Sequence, residues 1–159
     1  MVHGQPEIGQ SEIRLTVTGS IPVPQFQVRF FETARTMNAE QGYYSIIQYC
    51  PDFTRMEVCN LGVLLFCPKP RYLGVMMTDT NERELRFFGK KAVGFIQGMG
   101  LKASIVNRIA HEKIVTLEHL ERFIETRANS IVITKPRSIW IEGSPRRELS
   151  SLYRAVFKD

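Results

Sequence analysis

No run of apolar residues in this chain is long enough to cross a membrane. The longest, residues 63–67, falls far short of the roughly 20 that a spanning helix needs, so no membrane partner is expected. Cysteine is scarce. Cys50, Cys59 and Cys67 cannot all pair, and each lies in or beside an apolar, strand-like segment. That favours reduced thiols in a cytoplasmic protein over a disulfide framework. Their wide spacing is unlike the close cysteine pairs of zinc sites, and no nearby base marks any of them as a nucleophile. The N-terminus has no basic stretch followed by an apolar block, so no secretory signal is expected. There is no internal repeat, no low-complexity tract, no Gly-x-Ser-x-Gly elbow and no His–Glu pair at the spacing of a metal-binding helix. Gly98-x-Gly100 lacks the lysine and the preceding βα unit of a phosphate loop. No catalytic residues, metal or cofactor are therefore assigned.

What is present suits a globular domain. A chain of 159 residues with 43% apolar and 23% charged residues can bury about two thirds of its unfolded surface without staples. In residues 1–36, Arg14, Arg29 and Arg35 balance Glu7, Glu12 and Glu32. The net charge of +5 therefore belongs to residues 37–159, and the basic balance admits an anionic partner such as nucleic acid.

Residues 1–36 read as an N-terminal extension, loosely attached, with strand-like alternation at 13–18 and 26–31. Met37 is an expected natural start, and 37–159 an expected single domain. From there the pattern sharpens. Residues 43–50 ("YYSIIQYC"), 57–67 and 72–78 read as strands, separated by the turns "PDFTR" and "PKPR". Short connections between three successive strands imply an antiparallel meander over 43–78, and the middle strand, apolar on nearly both faces, belongs at its centre. The stretch 79–91 is polar and charged and is expected to end in a turn. Helical spacing begins near Val93 and breaks near "GMG" (98–100). It resumes at 102–111 and again at 116–129, where Thr116 is the expected N-cap. Two short strands at 130–134 and 138–142 precede a closing helix at 144–157, with Ser144 as cap and Pro145 in the first turn. The order gives an α+β domain: an antiparallel sheet with helices packed on one face.

"YYSIIQYCPD", "RMEVCNLGVLLFCP" and "SIVITKPRSIWIE…LSSLYRAVF" resemble the bacterial family catalogued as domain of unknown function 3037. The resemblance rests on Tyr44, Ser45, Gln48, Tyr49, Arg55, Glu57, Asn60, Gly62, Leu65, Phe66 and Pro68, and it spans about 43–157. It implies no activity. It does imply a partner class, because members neighbour genes for proteins resembling the HipA kinase.

Three functions compete. The first, favoured by the lack of catalytic residues, is a non-enzymatic protein-interaction or regulatory module. The second is nucleic-acid binding through basic clusters: Lys69 with Arg71, Arg86 with Lys90 and Lys91, Lys135 with Arg137, and Arg146 with Arg147. Tyr72, Phe87, Phe88 and Trp140 are interleaved among them. The third is an enzyme whose polar pocket holds Arg55 as an anion grip, Glu57 as its orienting partner and Asn60 as an amide donor, with Gly62 allowing close approach. Against this pocket stands a structural reading, in which Arg55 and Glu57 pair with each other and Asn60 satisfies turn backbone.

Overall fold

The computed structural model describes residues 39–126 and 130–158. The expected N-terminal extension, its two strand-like segments and the start at Met37 lie outside these residues. Glu40–Tyr49 (β1), Cys59–Cys67 (β2) and Tyr72–Met77 (β3) form the antiparallel meander. Ile131–Ile133 (β4) and Arg137–Ile141 (β5) both pair with the free side of β1. β4 takes its C-terminal half and β5 its N-terminal half. β2 is central and buried along almost its whole length, which is why its sequence does not alternate.

The α+β class and the antiparallel sheet follow the expectation; the helices, expected on one face, divide between both. Glu82–Gly98 (α1), Leu101–His111 (α2) and Leu117–Glu125 (α3) cover the face that carries Leu64, Phe66, Leu73 and Val75. Pro145–Phe157 (α4) covers the other face, over Val63, Leu65 and Cys67. β2 can be apolar on both sides because each side meets a helix layer. α4 lies close to the sheet through Gly74, where a Cβ would come 2.8 Å from Leu149 Cδ2.

Helix limits show where periodicity misled. Helical spacing, expected from Val93, starts earlier, at Glu82; the polar stretch before Val93 holds the first half of α1, where Glu84 occupies a position that an apolar residue normally fills. Glu84, Phe88, Ala92 and Ile96 recur every four residues, and the helix buries Glu84, Ala92 and Ile96. Gly89 (φ 77°) interrupts the helical geometry between the two halves. The break expected near residues 98–100 is present, with Gly100 left-handed (φ 55°) before α2. Thr116 caps α3 as expected, its Oγ1 accepting from the His119 N–H at 3.2 Å. Ser144 occupies the N-cap of α4, with Pro145 next, but its side chain makes no capping hydrogen bond.

Candidate functional site

The segment joining β1 to β2 is exposed from residue 51 to residue 58, and its shape is set locally. Asp52 organises it. The Asp52 Oδ1 accepts from the Thr54 N–H at 2.8 Å and the Arg55 N–H at 3.4 Å. Its carbonyl accepts from the Met56 N–H at 3.1 Å. The Thr54 N–H, first among several donors, holds the Asp52 carboxyl below the ordinary value of 3.8. One helical turn therefore forms and ends at Met56, which adopts a left-handed φ of 53°, an uncommon conformation for a residue with a Cβ. Arg55 donates to the Glu57 Oε1 at 2.8 Å, with both side chains in solvent. Around this pair the loop exposes Phe53, Met56 and Val58, Met56 being 65% exposed.

Asn60 leaves this group. β1 and β2 lose register between Ile47 and Gln48, so that Gln48 pairs with Asn60 while Ile47 pairs with Gly62. Leu61 is the extra residue of a β-bulge. The bulge turns Asn60 to the same sheet face as Gln48, whose Nε2 donates to the Asn60 Oδ1 at 2.8 Å. Gly62 is explained by packing. A Cβ there would lie 2.5 Å from both the Met76 carbonyl oxygen and the Met77 Sδ. Arg55 and Glu57 thus pair in solvent, Asn60 is bonded to a neighbouring strand and Gly62 is sealed against β3. The four do not line one pocket. The expected strand start at residue 57 is corrected to Cys59, because the Asp52 turn carries Glu57 outside the sheet.

A model of the family described as "Protein of unknown function (DUF3037)" matches residues 44–156. The chain belongs to the DUF3037 family. The match runs from β1 into α4 and takes in the exposed loop, the bulge and both helix layers. No curated protein matches the chain, and neither does any solved structure.

Inside the DUF3037 domain lies a polar cluster that sequence reading passed over. Lys102, from the first turn of α2, is 4% exposed, and Glu84 on α1 is 1% exposed. The Lys102 Nζ lies 2.9 Å from the Glu84 Oε1. It also lies 2.7 Å from Thr78 Oγ1, 3.2 Å from the Thr78 carbonyl and 2.6 Å from the Thr80 carbonyl. An ammonium has three N–H groups. Those directed at Thr78 and Thr80 occupy them, so Glu84 is held by charge rather than by a directed bond. The cluster ties the start of the helical layer to the end of β3. A sequence signal existed: Lys102 stands in the stripe of Ile105, Val106 and Ile109, as Glu84 stands in that of Ala92 and Ile96. A charge in an otherwise apolar stripe points to a buried pair.

The thiols behave as core residues. Burial, and then the charge of Glu84, pushes Cys59 up to about 11; burial, and then Glu148, pushes Cys67 up to about 12. Among the described residues, no group of three or more His, Cys, Asp or Glu side chains could hold a metal ion. No helix among them is long and apolar enough to cross a membrane. The basic clusters are distributed: Lys69 and Arg71 lie in the β2–β3 turn, while Arg86, Lys90 and Lys91 lie on α1. Lys135 and Arg137 stand between and on the edge strands β4 and β5, and Arg146 and Arg147 are in the first turn of α4.

Proposed function

We propose that this protein is a non-enzymatic protein-interaction module that presents the 51–58 loop to its partner. One observation carries the reading. Phe53, Met56 and Val58 are exposed on a segment whose backbone is already bonded into a single turn around Asp52. Large apolar groups in solvent mark contact surfaces when they cluster, and a preformed loop loses little conformational entropy on docking. The left-handed Met56 adds to this, since backbone strain persists where a particular loop shape is used. A catalytic reading has less support. Arg55 and Glu57 satisfy each other in water, and Asn60 is committed to Gln48.

The family resemblance supplies a first bait, a HipA-like kinase. Tagged wild type and a Phe53→Ser/Met56→Ser variant, each purified from the native host, test the reading. Wild type should bring down a stoichiometric protein partner that the variant loses at unchanged Tm. A protein that runs alone at every concentration, or a variant that recovers the partner equally, overturns it.

A further inference from the structure

We propose a second surface, the solvent side of α4, that binds double-stranded nucleic acid through its phosphates. It goes beyond the protein-interaction reading and uses none of the 51–58 loop. Packing fixes which side of α4 is outward. Pro145 and Leu149 are buried, and Leu152, Tyr153, Val156 and Phe157 pack into the cluster of Leu149 with Val63, Leu65 and Cys67. Arg147, Ser151 and Arg154 are exposed. They follow one another at i, i+4 and i+7, so they form one line along the side turned away from Leu149. Two turns, about 10 Å, separate the ends of that line. The side chains close part of this gap. The Arg154 Nε donates to the Ser150 carbonyl at 3.3 Å, so Arg154 folds back along the helix toward Arg147. Arg146, also exposed, flanks the line in the first turn. Its carbonyl accepts from the Ser150 Oγ at 3.1 Å, which turns that hydroxyl down onto the backbone. Ser150 and Ser151 are too small to screen the three guanidiniums, and none of these has an ion-pair partner among the described residues.

Acid is kept off this side. Glu148 is the one acidic residue of α4. It lies on another flank, close enough to Cys67 to add its charge to the effect of burial on that thiol. Glu142 precedes the N-cap, outside the helix. Arg83 and Asp79 both reach the helix near Tyr153, with opposite charges. A line of cations with no acid on it calls for an anion of high charge density, and a duplex carries one charge per about 1.7 Å of its axis. The same surface offers nothing to other anionic partners. Single strands bind by stacking bases on rings, but Tyr153 and Phe157 pack on each other, centroids 4.6 Å apart, and on the sheet. A membrane takes up apolar side chains beside the cations, and the line of Arg147, Ser151 and Arg154 has none. Contacts to phosphates alone read no sequence, so the binding is independent of base composition.

The test is titration of a fluorescein-labelled DNA duplex with the full chain, read by anisotropy. Three phosphate contacts, from Arg146, Arg147 and Arg154 at about −0.9 each, give a slope of about −2.7 in log K against log salt. Affinity should therefore fall about 40-fold between 50 and 200 mM NaCl. Arg147→Gln/Arg154→Gln removes two of the contacts and should bring the slope to about −0.9. Lys90→Gln/Lys91→Gln removes the same charge from α1, on the opposite face of the sheet, and should keep the wild-type slope. Both variants should hold the wild-type Tm, since all four side chains are exposed. Oligo(dT) should bind more weakly than the duplex. No anisotropy change at 50 mM salt, a flat salt dependence, or an equal loss in the two variants would each overturn the proposal. So would tighter binding to oligo(dT), to polyglutamate or to phosphatidylserine vesicles than to the duplex.

Discussion

Replacing Lys102 by methionine keeps the length of the side chain and removes its charge. In the wild type the ammonium sits within 3.2 Å of two carbonyls and a hydroxyl and 2.9 Å from Glu84. After the substitution the Glu84 carboxylate, 1% exposed, has no cation beside it, and Thr78 and Thr80 lose their donor. Breaking a buried pair from one side costs about 3–5 kcal/mol, a large share of the about 5–15 kcal/mol that holds a domain together. In a domain of this size that lowers Tm by about 10–20 °C. Urea unfolding followed by far-UV circular dichroism would show a lower midpoint at constant slope. The double variant Lys102→Met/Glu84→Leu removes both charges and should recover at least half of the loss, since apolar replacement of a buried pair is often close to neutral. A loss below about 1 kcal/mol for Lys102→Met, or a double variant less stable than the single, would refute the assignment of this cluster as the tie between β3 and the helical layer.

Gly62→Ala should cost about 1–3 kcal/mol by overpacking, because its methyl would meet the Met76 carbonyl at 2.5 Å; an unchanged denaturation midpoint would disprove the close approach. Leu149→Ala, at a fully buried position on α4, should cost about 2–5 kcal/mol; a neutral result in thermal unfolding would mean that α4 is not packed on the sheet. The order of the 51–58 loop should depend on acid. Asp52 is held below 3.8 by its N–H donors, so its contribution is complete above that value and is lost as pH falls through the lower, folded value. The Thr54 amide resonance should shift on that titration, and a shift centred above 3.8 would contradict the hydrogen bond. Burial of Cys50, Cys59 and Cys67 predicts no reaction with a thiol reagent at pH 8 in the folded protein and three modified thiols after denaturation. Rapid native labelling would place at least one thiol at the surface.

The meander was legible because its strands are rich in aromatic and β-branched residues and its turns in proline. The helix break was legible because three glycines fall within residues 94–100. Less of the site was legible. Glu57 was read as the start of a strand, with Arg55 in the turn before it, and spacing could not show that the Asp52 turn would hold both outside the sheet, which starts at Cys59. The placement of Asn60 hung on one unpaired residue, Leu61, since a bulge changes which face the residues before it share with those after it. The start of α1 was hidden because Glu84 breaks the apolar stripe, and its reason, Lys102, lies 18 positions further along the chain.

By itself the order of residues determined the class of the fold, the meander and its buried middle strand, the cap at Thr116 and the reduced state of three separated cysteines. These depend on neighbours a few positions apart, where propensity, periodicity and turn chemistry act. Tertiary structure decided which face α4 covers, how Lys102 meets Glu84 and why a side chain at Gly62 is crowded by β3. Each of those is a contact between distant segments, and its energy exists only once the chain has closed on itself.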